Sequence, residues 1–369
     1  MIYLDNSATT KMDNDACKVY LQTNQQMYLN PSAPYSFEVK QKLENARKAI
    51  ASKINATPEQ IIFTASATEA NNLAILGSRK SNSKFLFSSA EHPSVFEITK
   101  HFKIENTPFE FINLLNDGLI DESDYLKKLN NNPTFISCCY VCSENGALNN
   151  IKQLVNIKNK YNKSILFHTD ATQAFGKIEI DVMQLGVDFL TFSAHKIHGP
   201  KGLGVLYVKY PQKLKSLIFG GGQEFGLRSG TENFPAILAF ETVVKNLNIK
   251  QNFKNVSILK NKFIKNLTCD YIKNIENDFP YIISIAFPNV KAETFQRILF
   301  ERGVCVGTGS ACSSKKEGNR VLQSMGISKK QITESLRISF SIHNTIKEIN
   351  TATTIICEEY LKLLHKVKK

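Results

Sequence analysis

Short apolar runs alternate with amphipathic stretches through the first 235 residues of the chain. "QIIFTA" (60–65), "KFLFSS" (84–89), "TFISCCYV" (134–141), "SILFHTD" (164–170), "VDFLTFSA" (187–194) and "GVLYVK" (204–209) read as buried strands, being short, apolar and bounded by polar or small residues. Between them, "ATEANNLAILGSRK" (67–80) and "IKQLVNIKNKY" (151–161) carry helical spacing. Strand and helix in alternation predict an α/β fold around a mostly parallel sheet flanked by helices. After "GTENFPAILAFETVVKNLNIK" the pattern shifts to longer helices with fewer strands, of which "YIISIAF" (281–287), "VCVGTG" (304–309) and "SLRISFS" (335–341) are the candidates. This predicts a large domain over 14–240 and a smaller α+β domain over 241–369, with residues 1–13 folded onto the latter.

In open α/β sheets, ligands bind beyond the carboxyl ends of the strands. Five segments there carry polar groups able to converge: Thr64 to Glu69, Glu91-His92, Ser143-Glu144, Asp170 to Gln173, and Ser193 to Lys196. The last lies in "SAHKIHGPKG", where one lysine sits among hydroxyl, imidazole and glycine. Backbone amides at the start of the 67–80 helix, with the Thr68 hydroxyl, form an anion site, and Ser193 and His195 add donors beside Lys196. A Schiff-base-forming lysine, an anion cradle, a carboxylate that keeps a pyridinium nitrogen charged (Asp170) and a stacking ring (His92) together describe a pyridoxal phosphate (PLP) site.

Composition narrows the picture only a little. Apolar residues make up 42% and charged residues 21% of 369, an ordinary globular balance. No apolar run is long enough to span a membrane, and "MIYLDNSATTKMDND" lacks the basic-then-apolar form of a secretory leader, so a cytoplasmic protein is expected. Eight cysteines without framework spacing read as reduced thiols. The net charge of +13 comes from lysines spread along the chain, with no nucleic-acid module, so direct nucleic-acid binding is not expected. Cys139 and Cys142 form a C-x-x-C, but on a strand residues three apart face opposite ways; with Cys138 they read as core residues, and no metal site is expected. "GPKGLG" follows the lysine rather than opening a βαβ unit, so it is not a dinucleotide fingerprint.

Eight motifs, in order, resemble those of the cysteine desulfurases of the NifS/IscS type, in the class V aminotransferase group with PLP fold-type I architecture. They are "YLDNSATT", "FTASATEANNLAI", "EHPSV", "HTDATQAFGK", "SAHKIHGPKGLGVLYV", "GGGQEFGLRSGTEN", "GTGSACSS" and "LRISF". The resemblance implies a seven-stranded sheet in the large domain and a homodimer. It implies that Lys196 binds PLP covalently and moves the substrate Cα proton, with His92 stacked on the ring and assisting proton transfer. Ala67, Thr68, Ser193 and His195 would hold the phosphate, and Thr231 the phosphate of the neighbouring subunit. Asp170 would pair with the ring nitrogen and Gln173 with the ring hydroxyl, while Arg337 takes the substrate carboxylate in a bidentate pair. Cys312 would attack the sulfur of L-cysteine, become a persulfide and leave alanine, the sulfur passing to an acceptor protein for iron–sulfur assembly or tRNA thiolation. Cys305, in "GVCVG", reads as core.

Three departures from that pattern stand out. Cys142 and Ser143 replace two asparagines before Glu144; Tyr35 and Glu38 replace a His and a Gly; and "KKEGNRVLQSMG" lacks a Pro-Ser after Cys312. They leave two other readings: a PLP lyase or transferase on another amino acid, and a weakly active subunit that needs a sulfur-trafficking partner.

Overall fold

The computed structural model describes residues 1–276, 278–308 and 319–367. Twelve strands are found among them: β1 (Ile2–Tyr3), β2 (Ile61–Thr64), β3 (Phe85–Ser88), β4 (Phe109–Ile112), β5 (Phe135–Ser137), β6 (Leu166–Asp170), β7 (Phe189–Ser193), β8 (Gly204–Val208), β9 (Ile272–Lys273), β10 (Ile282–Ala286), β11 (Val304–Cys305) and β12 (Ser335–Ser339). Seven form one sheet in the order β2-β8-β7-β6-β5-β3-β4. Its β4-β3-β5-β6-β7 part is parallel, and β8 runs antiparallel between β7 and β2. Six of the seven strands match the apolar runs read from the sequence. The seventh, β4, did not stand out, because as an edge strand it is half exposed and its "FEFI" is short and interrupted by a charge.

Alternate side chains leave opposite faces of a strand, and the core follows that rule. Ile61, Phe63, Leu86, Leu190, Phe192, Val205 and Tyr207 join one buried cluster, while Ile62, Phe85, Phe87, Phe189, Leu206 and Val208 join another. Each fully buried aromatic or aliphatic side chain contributes roughly 1.5–3 kcal/mol. With helices on both faces, the strands need no polar side, which explains their near-continuous apolar runs. The open edge at β2 is closed by Glu224: its carboxylate accepts from Phe63 N at 2.7 Å and makes a two-pronged pair with buried Arg47 at 2.7 and 2.8 Å.

"TFISCCYV" extends as a strand only to Ser137. Beyond it the chain turns, with Gly146 N bonding to Cys142 O, so strand alternation does not govern Cys139 and Cys142. Both are buried, and Cys139 also borders the cleft described below. "VCVGTG" likewise keeps only the two strand residues of β11.

β9, β10 and β12 form a separate antiparallel sheet. The chain's first residues belong with this part: β1 pairs in parallel with β11, and Asp5 bridges to Ser339. From there the N-terminal arm runs back to the large sheet, where Thr10 N bonds to His195 O at 3.0 Å.

Candidate active site

The carboxyl ends of the large sheet open on a cleft of about 190 Å³. Ala67, Thr68, His92, Asp170, Gln173, Ser193, His195 and Lys196 all line it, as does Ser143. Each stands just past a strand. Asp170 ends β6, Ser193 ends β7 ahead of the short turn that carries His195 and Lys196, and Ala67 opens the helix Ala67–Gly77 after β2.

That helix begins where it does because the Ser66 hydroxyl accepts from Glu69 N at 3.2 Å, an N-cap that leaves Ala67 and Thr68 at the cleft. Glu69 would oppose an anion there, but its carboxylate is drawn aside into an ion pair with Arg228 at 2.7 Å. Gly204, opening β8, lies flush against this turn: a Cβ on it would fall 2.2 Å from Ser66 C and 2.6 Å from Ala67 N. Only glycine permits that approach, so the strand-to-helix turn is fixed by backbone contact.

The Asp170 carboxylate is 6% exposed and held at both oxygens. Oδ1 accepts from Thr172 N at 2.9 Å and Oδ2 from Asn71 Nδ2 at 2.8 Å. The other Asn71 Nδ2 hydrogen goes to Ser94 Oγ at 2.9 Å, and Ser94 Oγ lies 2.8 Å from His92 Nδ1. Ser94 N also donates to that Nδ1 at 3.1 Å. A backbone N–H can only donate, so Nδ1 is unprotonated and the neutral ring carries its proton on Nε2. Burial lowers the His92 pKa, in keeping with that neutral form. Asn71 and Ser94 are functional residues that sequence reasoning passed over. Asn71 lay inside the quoted "TEANN", but nothing in its spacing shows that its amide bridges Asp170 to the histidine's support.

Beneath this pair lies Glu91, 1% exposed. Burial, and next the nearby Asp170 charge, push its carboxyl up to about 8, so it is protonated at neutral pH. Arg320, which follows Cys312 by a few residues, donates to Ser89 O and Glu91 O and stacks over Phe96 with 3.9 Å to the ring centroid. The C-terminal part of the chain thereby grips the turn that carries His92.

Lys196 Nζ donates to Ser7 O at 2.6 Å and Ala8 O at 2.8 Å, contacts from the N-terminal arm. Gln173 Nε2 donates to the same Ser7 O at 2.9 Å, and its Oε1 accepts from buried Lys177 at 2.9 Å. One amide hydrogen of Gln173 therefore serves the arm, while the residue also lines the cleft. Burial, reinforced by Lys196, brings the Lys177 pKa down to about 7. His195 is lowered to about 4, chiefly by burial and then by Lys196, and its Nδ1 lies 3.0 Å from Thr9 Oγ1.

Two expected residues, Arg337 and Thr231, stand apart from the cleft lining. Arg337, on β12, bonds to Asp5 Oδ1 and to Ser143 O, both at 3.0 Å, so a carboxylate of the protein already engages the group expected to take the substrate's. Thr231 lines a second cavity with Ala65, Arg228 and Gly230. Cys312 lies outside the described residues. Among the described residues no cluster of three or more His, Cys, Asp or Glu is placed to hold a metal ion, and no helix is long and apolar enough to cross a membrane.

The geometry is matched by relationships to known proteins. A family model for Aminotransferase class-V matches residues 2–351, and the chain belongs to that family. Within it, the relatives are cysteine desulfurases. The mitosomal cysteine desulfurase of Encephalitozoon cuniculi is 32% identical over 98% of this chain and 87% of that protein. Cysteine desulfurase IscS of Buchnera aphidicola is 33% identical over 98% and 93%. Among solved structures, a NifS-like protein superposes with a TM-score of 0.92 at 28% identity, covering 98% of this chain and 99% of that one. The fold is the expected one, and the family is generally PLP-dependent.

The cleft fits such a cofactor by its own chemistry. Its lining brings together the Lys196 amine, the buried Asp170 carboxylate, and the Ala67–Thr68 helix start with the Ser193 hydroxyl and the His195 imidazole. Thr172 Oγ1, on the lining, is buried and without a partner among the described residues.

Proposed function

We propose that this protein is a cysteine desulfurase that converts L-cysteine to L-alanine, binds PLP in the cleft around Lys196, and carries the released sulfur as a persulfide on Cys312. The observation that carries this reading is the convergence of Lys196, Asp170, His92 and the Ala67–Thr68 helix start on one cleft. When bound, PLP supplies an electron sink that weakens the bonds at the substrate's Cα.

The chain's own residues do the rest. Lys196 would hold the cofactor covalently, and its Nζ would hold or return the proton at the substrate Cα. Asp170, with both oxygens fixed, keeps a ring nitrogen protonated. Thr68, Ser193, His195 and the first amides of the helix bind the phosphate, and Gln173 uses its second amide hydrogen on the ring hydroxyl. His92, with its proton on Nε2, would help hold the cofactor ring and assist proton transfer. Arg337 exchanges Asp5 for the substrate carboxylate, keeping a charge partner throughout. The Cys312 thiolate attacks the substrate sulfur; the carbon–sulfur bond breaks, its electron pair stays with Cβ, and protonation there leads to alanine.

We also take Thr231 to act across a homodimer, which agrees with its place outside its own chain's cleft. A sulfur-acceptor protein completes the cycle. The two-domain division at about 240 is supported by the two larger sheets, whose strands lie within 61–208 and 272–339.

The test incubates PLP-loaded protein with L-cysteine and a reductant, measuring alanine and sulfide together beside Cys312→Ala. Equal yields that vanish in the variant support the reading. Sulfide production that survives Cys312→Ala points to lyase chemistry, and loaded protein that releases neither product overturns the reading.

A further inference from the structure

Far from the cleft in sequence, the segment after the helix Ile249–Asn266 meets the C-terminal helix Ile346–Val367. There the Cys269 and Cys357 sulfurs share a hydrogen bond at 3.1 Å, although the residues are 88 apart in sequence. The Thr268 hydroxyl donates to Cys357 Sγ at 3.7 Å. Cys357 is buried; Cys269 is half-buried between exposed Thr268 and Asp270. Two sulfurs this close, one of them reachable from solvent, are arranged for exchange rather than for packing alone, since thiol–disulfide chemistry depends on access and on a second thiol at hand.

We infer that Cys269 and Cys357 form a thiol–disulfide exchange site that takes small-molecule disulfides and closes into a reversible cross-link between the Cys269 segment and the C-terminal helix. The steps balance. Cys269 attacks one sulfur of the small disulfide; the new bond forms, the old one breaks, and one small thiol leaves with the Cys269 proton. The Cys357 thiolate then attacks Cys269 Sγ and expels the second small thiolate. The two protein thiols are oxidised and the small disulfide is reduced. The hydrogen bond between the two sulfurs lowers the Cys357 pKa against its burial and raises that of Cys269, so Cys269 gives up its proton to the leaving small thiolate as it attacks, and Cys357 resolves as the thiolate. With the second sulfur already in contact, ring closure is intramolecular and outruns release of the mixed disulfide.

The test uses the full chain, reduced, freed of reductant and exposed to oxidised glutathione, then alkylated, digested and mapped by mass spectrometry. The expected result is a Cys269–Cys357 cross-linked peptide pair, lighter by about 2 Da than its reduced parts and dissolved by dithiothreitol. Cys357→Ser should instead hold glutathione on Cys269. A thermal melt of oxidised wild type should lie above that of reduced protein, because the bridge closes a long loop in the unfolded chain, and the difference should vanish in Cys357→Ser. Wild-type protein in which both cysteines remain alkylated, or in which glutathione persists on Cys269 with Cys357 still alkylated, overturns the inference. Both results are read on wild-type protein without turnover, so they are independent of the desulfurase reading.

Discussion

The two ends of the site are built differently. At the proposed cofactor end, the groups follow the strand ends of one sheet, and the Asp170 oxygens and His92 Nδ1 are committed to fixed internal partners. At the substrate end, Arg337, Asp5 and Ser143 come from distant parts of the chain, and the guanidinium is engaged by a carboxylate that the substrate would have to replace. One end is preorganised and the other exchanges partners. A permanent ligand rewards the first design. A ligand that must leave as product rewards the second, since Arg337 is never left as a buried unpaired charge.

Four experiments probe this contrast, in falling order of expected effect. Lys196→Ala should cost at least about 10³-fold in turnover, with loss of the visible absorbance of covalently bound cofactor; retained absorbance would contradict its anchoring role. Arg337→Lys should act at the other end, raising KM roughly 10- to 100-fold by loss of a two-pronged pair while cofactor absorbance stays normal. An effect on cofactor binding instead would erase the distinction between the ends.

Asn71→Ala leaves one Asp170 oxygen and the Ser94 hydroxyl short of a donor, a cost of about 1–3 kcal/mol. Denaturant melts should show that loss, and the cofactor's spectral titration should shift toward lower pH as Asp170 is less firmly held.

The last test is a pH series. Glu91 has a folded pKa raised to about 8, so its contribution is full below the ordinary carboxylate range and is lost as pH rises through 8. His168, His195 and His198 are lowered to about 4, mainly by burial, so theirs is present above their ordinary pKa near 6.5 and is lost as pH falls toward 4. Urea melts should therefore show greatest stability in the mildly acidic to neutral range. Glu91→Gln should match wild type near pH 5 and exceed it by about 1–3 kcal/mol at pH 8.5. An unchanged alkaline limb would show that Glu91 is ionised in the fold.

The same contrast sorts what could be read from sequence. Residues acting at strand ends were legible because strand and turn are local: Asp170, Ser193 and Lys196 stand where apolar runs stop, and the helix Ile151–Tyr161 was read to its ends. What was hidden depends on long-range meetings. The Asn71 amide finds Asp170 99 residues away, Asp5 finds Arg337 332 residues away, and no local period encodes either. β4 escaped because an edge strand lacks the full apolar run. The strand reading of Cys138 to Val141 failed for the converse reason: Cys138, Cys139 and Val141 are buried and apolar, yet the backbone turns there.

The N-terminal arm has a consequence for how the protein is made. Residues 2–10 are made well before the partners they need: β1 waits for Val304, Asp5 for Ser339, and Ser7 for Lys196. The large sheet can assemble while synthesis continues. The carbonyls that contact the lysine can be fastened in place only after Ser339 has emerged. Competence for chemistry is thus a late event in the life of the nascent chain, and the half-made protein has no finished site with which to begin work.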